Sequence, residues 1–240
     1  SYNSRNKELD FVRSLAKKYE KFIKALGFDI ERGILRTQYE AFGPLRGMYL
    51  LSKYTSDEEV MESLEDTKQV YIKEGIIKPS LGLKLSILLM IGDFLDLYLS
   101  DEFRNIAVTL GVDEHKYVKL TEKIAKRWEL PIKISGIYSW IIRGFYGYPK
   151  MSKSIPKSAI TAEMPYEEIK RKFMEGEPKK IKRPFFESPV FQMMCAVSYY
   201  SDEELEELYK VCIKGGREWK RKKIEYLDTQ LMPILEKWES

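Results

Sequence analysis

Residues 103–123 read Phe-Arg-Asn-Ile-Ala-Val-Thr-Leu-Gly-Val-Asp-Glu-His-Lys-Tyr-Val-Lys-Leu-Thr-Glu-Lys. Ala107 is followed four positions later by Gly111. Leu110 and Val112 flank the glycine, and Tyr117 and Leu120 follow at helical spacing. Two short helices crossing at a steep angle need these features. A small side chain lets them approach, a glycine takes a corner with φ > 0, and apolar residues fill the angle. The expectation is helix, corner, helix, with Asp113 as N-cap and Glu114 as a first-turn acid of the second helix. His115, Lys116, Lys119 and Lys123 then face outward.

On both sides the chain reads as helix. Leu9, Val12, Leu15, Ala16, Tyr19, Ile23 and Leu26 recur at three- and four-residue steps, opposite a face carrying Lys17, Lys18, Lys21 and Lys24. Residues 45–54 form a short helix after Gly43-Pro44. Ser56 with Glu59 makes a capping box that opens a helix through Tyr71. Residues 83–99 are apolar on most sides and are expected to be the central buried helix. The helical pattern continues through Ile124, Ala125 and Trp128 to Pro131, and residues 137–145 follow as another short helix.

After Tyr148 the composition shifts, and Pro149, Pro156, Pro165, Pro178, Pro184 and Pro189 leave room only for a short helix at 166–174. Residues 148–189 therefore read as a Pro-rich connector between a helical domain at 1–147 and a helical segment at 190–240. In that last segment Ser201 and Glu204 make a second capping box, and Gly215-Gly216 separates two helices. The fold class expected is all-α and multi-helical, with residues 103–123 embedded in a larger helical domain.

Composition narrows the chemistry. Of 240 residues 44% are apolar and 32% charged, which is globular rather than disordered. The 41 basic and 37 acidic residues nearly balance, so the placement of charge matters more than its sum. Two cysteines build no disulfide framework and fit a reducing, cytoplasmic setting. The first residues are polar, and the most apolar run, 81–99, is interrupted by Lys84, Asp93 and Asp96, so no membrane association is expected. The Lys, Glu, Ile and Tyr content hints at a thermophile.

There is one histidine and no legible triad, metal-ligand spacing or phosphate-cradling glycine loop, so no catalytic residue, metal or cofactor is expected. Asp93 and Asp96 share a helix face and are read as its polar side. Two basic clusters stand out: Lys179, Lys180, Lys182 and Arg183 beside Phe185 and Phe186, and Arg217, Lys220, Arg221, Lys222 and Lys223 around Trp219. They suit phosphates with stacked aromatics, or a salt-bridged surface, equally well.

The 103–123 pattern resembles the helix-turn-helix of phage-type repressors and of plasmid-partition adaptors. Ile124-Ala125, Leu130-Pro131, Tyr138 to Ile141 and Arg143-Gly144 resemble the version found in small winged DNA-binding proteins. These resemblances imply a non-enzymatic regulator or partition adaptor that reads duplex DNA. Its DNA contacts would be His115, Lys116, Lys119 and Lys123 together with the two basic clusters. A protein partner would meet the N- or C-terminal helices, and a homodimer fits the reading. The alternative is a helical scaffold or assembly subunit acting through protein–protein contacts.

Overall fold

In a computed structural model of the chain, residues 8–37, 41–73, 75, 78–153 and 155–238 are described. They group into two units, one within Ser1–Lys17 and Glu31–Trp140, the other within Lys18–Ile30 and Ile141–Ser240. The long amphipathic segment at the start forms α1, Leu9–Ala25.

In the first unit, α2 (Phe42–Leu51) lies along α5 (Leu81–Leu99). Ser80 caps α5 by accepting from Leu83 N–H at 3.1 Å. Its Leu- and Ile-rich interior buries Leu83, Ile87, Ile91, Phe94 and Leu95. Glycines let the two helices approach: a Cβ on Gly92 would lie 2.4 Å from the Pro44 carbonyl oxygen. Asp96, on the same helix, is fully buried, pairs with Arg36 at 2.5 Å and accepts from the Ser100 hydroxyl. Asp96 thus serves the packing of the unit.

Between them lie α3 (Asp57–Glu62) and α4 (Asp66–Lys73). The Ser56–Glu59 capping box at the head of α3 is formed. Glu59 also receives both nitrogens of the Arg127 guanidinium, at 2.6 and 2.7 Å. That arginine, with the Ser56 backbone, holds the Glu59 carboxyl near pH 2, against an ordinary 4.5. A depressed carboxyl pKa stabilises the fold above the unfolded value, and that stability is lost as pH falls through the folded value. Melting temperature should therefore drop more steeply between pH 4.5 and about 2 in the wild type than in Glu59→Gln. Parallel curves for the two proteins would show that this pair carries none of the acid sensitivity.

The all-α expectation is corrected here. Residues Asn105–Gly111 are a strand, β1, and Lys133–Ser139 are a second, β2, paired in parallel with Ile106 opposite Ile134 and Gly111 opposite Ser139. α6 (His115–Arg127) connects them, so the decisive segment is a βαβ unit and not a helix-turn-helix. Ile106, Val108 and Ile134 point into the core with Tyr117, Leu120 and Ile124 of α6, while Asn105, Ala107, Thr109, Ser135 and Ile137 are exposed. Gly111 has φ −67° and takes no left-handed corner. It is small for another reason, since a Cβ there would sit 2.6 Å from Asp113 Oδ1. The second helix-turn-helix candidate fails with the first. Its residues 133–139 are β2, residues 140–144 carry no helix, and a short 3-10 segment, Phe145–Gly147, follows.

The second unit is helical: α7 (Tyr166–Glu175), α8 (Pro184–Glu187), α9 (Pro189–Ala196), α10 (Asp202–Lys214), α11 (Gly216–Tyr226) and α12 (Met232–Leu235), with a π-helical stretch at Leu227–Leu231. The Ser201–Glu204 capping box is present. Gly215 and Gly216, at φ +67° and +72°, make the reversal between α10 and α11 that residues with a Cβ would resist. The core collects Phe145, Ile169, Phe173, Phe191, Met194, Trp219 and Tyr226.

Candidate functional site

Three groups of residues can contact a ligand. The first is the carboxyl end of the parallel sheet, where α/β folds hold their ligands. β1 ends at Gly111, a 3-10 turn of Val112–Glu114 follows, and α6 begins at His115. Glu114 accepts from Gly111 N–H at 3.2 Å, and His115 Nδ1 donates to Val112 O at 3.0 Å. Asp113 is buried. Behind them the Tyr117 hydroxyl lies 3.4 Å from Glu65, which also pairs with Lys68. Burial, then the charges of Glu65 and Glu114, push the Tyr117 phenol above the usual tyrosine range. Carboxylates at this place suit an ammonium group or ribose hydroxyls.

The second group is the segment 150–158, Lys-Met-Ser-Lys-Ser-Ile-Pro-Lys-Ser, of which Ser154 lies outside the described residues. Ser152 and Ile155 form an antiparallel bridge. The fully buried Ser158 hydroxyl accepts from Ser152 N–H at 3.0 Å and donates to Ile155 O at 2.8 Å. Lys153 and Lys157 are exposed, the first beside the Tyr19 hydroxyl and the second 5.0 Å over the Tyr146 ring. The exposed Lys153 and Lys157 of this segment can contact a polyphosphate. The Pro-rich connector expected at 148–189 covers this stretch. The Lys/Ser density was the legible signal, and proline count outweighed it.

The third group is basic. Arg217, Lys220 and Arg221 line one groove with Met174, Ile224 and Glu225. Lys222 and Arg221 both reach Glu225, at 3.0 and 3.3 Å. Lys223 points the other way: it is buried, and its ammonium donates to Phe173 O and to Glu177. Lys179, Lys180, Lys182 and Arg183 are exposed, with Arg183 3.4 Å from Glu187 and over the Phe186 ring. On α6, Lys119 and Lys123 are exposed and Lys116 is paired with Asp66. The structure thus gathers Arg217, Lys220 and Arg221 and turns Lys223 inward. Among the described residues no three His, Cys, Asp or Glu side chains converge as a metal site, and no helix is long and apolar enough to cross a membrane.

The fold class these elements define is α/β and Rossmann-like. The chain superposes on tryptophanyl-tRNA synthetase from Aeropyrum pernix K1 with a TM-score of 0.76 at 20% identity, over 99% of this chain and 65% of that one. Tyrosyl-tRNA synthetase from Aeropyrum pernix gives 0.70 at 17% identity, over 96% and 69%. The profile of class I tRNA synthetases (W and Y) matches residues 2–232, and the chain belongs to that family. It is also 27% identical over 233 residues to tryptophan–tRNA ligase of Methanocaldococcus jannaschii, covering 90% of this chain and 60% of the ligase.

Family membership overturns several expectations together. The relatives are ligases, so the non-enzymatic regulator, the partition adaptor and the helical scaffold all fall. Duplex DNA falls as the partner with them, since the family is one of tRNA synthetases. The physical reason is that the supposed reader helix is the crossover of a βαβ unit, with its inner face used against the strands.

Proposed function

We propose that this chain acts in the ATP-dependent joining of tryptophan to tRNA, with tyrosine as the competing substrate. The observation that carries the reading is the family match over residues 2–232. Tryptophan is favoured because the 27%-identical relative is a tryptophan–tRNA ligase. The local chemistry agrees in three places, each taken by itself. Asp113 and Glu114, just past the end of β1, suit an amino acid's ammonium or a ribose. Lys150, Lys153 and Lys157 with Ser152 suit the triphosphate of ATP. The groove of Arg217, Lys220 and Arg221, and the exposed Lys179, Lys180, Lys182 and Arg183, suit the phosphates of a folded RNA. Such an enzyme serves translation and works in the cytoplasm.

The experiment is ATP–pyrophosphate exchange with tryptophan and with tyrosine, followed by tRNA binding at several salt concentrations. Exchange is expected with tryptophan first. Lys220→Ala with Arg221→Ala should weaken tRNA binding and lower the slope of log affinity against log salt by about 1–2. Exchange at the blank level with both amino acids, in a folded sample, would refute the activity. An unchanged slope would remove the groove as an RNA contact.

A further inference from the structure

Lys172 stands on α7 with its side chain only 4% exposed, and it ends in the underside of the Lys/Ser turn. Its ammonium donates to Pro156 O at 2.6 Å, Ala159 O at 2.8 Å and Lys157 O at 3.3 Å. Three protons meet three carbonyls, so the group is saturated by the turn itself. The nearest carboxylate is Glu168, 3.9 Å away and 41% exposed, so neutral peptide dipoles do most of the balancing. Burial draws the Lys172 pKa below the ordinary lysine value, as expected for a cation without a close buried partner. A hydrocarbon side chain of the same length would avoid that cost, but it would take the donor from three carbonyls, of which Pro156 O alone keeps another, the Ala159 N–H.

The turn is held from two directions. Ser158 ties Ser152 to Ile155 from within, and Lys172 gathers residues 156–159 from beneath. Between the two anchors lie Lys153 and Lys157, whose ammonium groups are exposed. Any slack in the carbonyls of residues 156–159 would be passed directly to Lys157 and, across the Ser152–Ile155 bridge, to Lys153.

We infer that Lys172 is a positioning residue that holds the backbone of residues 156–159 in one conformation and so aims Lys157 and, across the Ser152–Ile155 bridge, Lys153 at a bound polyphosphate. The polyphosphate part rests on the proposed function, whereas the positioning part stands on the geometry of the turn. Lys172 touches no substrate, and its effect is exerted through the backbone it holds.

The test is native tryptic cleavage after Lys153 and Lys157, followed by mass spectrometry, with and without millimolar ATP and Mg²⁺. Lys172→Met is compared with Phe173→Leu, a core change on the next residue of the same helix that leaves the ammonium in place. In the wild type ATP should slow cleavage at both lysines. In Lys172→Met the two bonds should be cut about tenfold faster, and ATP should no longer protect them. Phe173→Leu should lower the melting temperature yet keep wild-type cleavage and protection at the turn. Equal cleavage at the turn in Lys172→Met and Phe173→Leu would overturn the positioning role. Faster cleavage in Lys172→Met alongside a wild type that ATP does not protect would keep the positioning role and overturn the polyphosphate reading.

Discussion

Glu177→Gln should cost the second unit about 3–5 kcal/mol, the expected penalty for leaving a buried charge without its partner. Glu177 and Lys223 side chains are 4% and 5% exposed and lie 3.1 Å apart. The carboxylate does more than pair. One oxygen accepts from the Ser188 hydroxyl and from Val190 N–H, and the other accepts from the Trp219 indole N–H at 3.1 Å as well as from Lys223. Ser188 in turn caps α9 by accepting from Phe191 N–H at 3.0 Å. One side chain therefore fixes the end of α7, the start of α9 and the face of α11. Glutamine keeps the shape, but it withdraws the negative charge and turns one acceptor into a donor facing donors. The measurement is denaturant unfolding followed by tryptophan fluorescence. The comparison is Lys220→Ala, which lies three residues from Lys223 on an exposed face and should stay within about 0.5 kcal/mol of wild type. A Glu177→Gln midpoint equal to that of Lys220→Ala would show that the network contributes nothing.

Gly92→Val should cost the first unit about 3 kcal/mol, at the upper end of overpacking effects. The contact is with backbone: the new Cβ would lie 2.4 Å from Pro44 O and 3.1 Å from Met48 N. Neither atom can rotate aside, so α2 and α5 must separate and uncover apolar surface that includes Leu51 and Ile91. Gly47, on the facing helix, supplies the control. A Cβ there meets Gly92 Cα at 3.4 Å, an ordinary contact, so Gly47→Ala should cost less than about 1 kcal/mol. Thermal melts of the two variants decide the matter. If Gly92→Val melts with the wild type, the helices do not approach as closely as described.

Several features of the fold were readable one residue at a time. The Ser56–Glu59 and Ser201–Glu204 capping boxes form where the serine and glutamate spacing placed them, because a cap is a local exchange of hydrogen bonds. The apolar run at 83–99 is a buried helix, since no face of it offers enough polarity to stay in water. The Gly215-Gly216 break holds because only glycine takes two successive positive φ values cheaply.

The strands show where local reading stops. Ile106, Val108 and Leu110 alternate with Asn105, Ala107 and Thr109, a strand pattern that was present all along. Ala107 and Gly111 lie four apart as well, so the same letters also satisfy a helical corner. What decides is the partner: Asn105 pairs with Lys133 and Gly111 with Ser139, and such a parallel pairing needs a crossover before either strand gains its hydrogen bonds. The basic residues divide for a similar reason. Lys220, Lys222 and Lys223 look alike in sequence, yet the inward face of α11 carries Trp219, Lys223 and Tyr226. A lysine can occupy that face only because Glu177, 46 positions earlier, meets it there. The same holds for the turn at 150–158. Its lysines and serines were visible in the sequence, but the backbone that aims them is held by an ammonium from another helix, Lys172. The sequence alone determined which segments cap, bury and break. Only the tertiary structure decided which charges turn inward and which strand finds its neighbour, because those choices depend on groups brought together from distant parts of the chain.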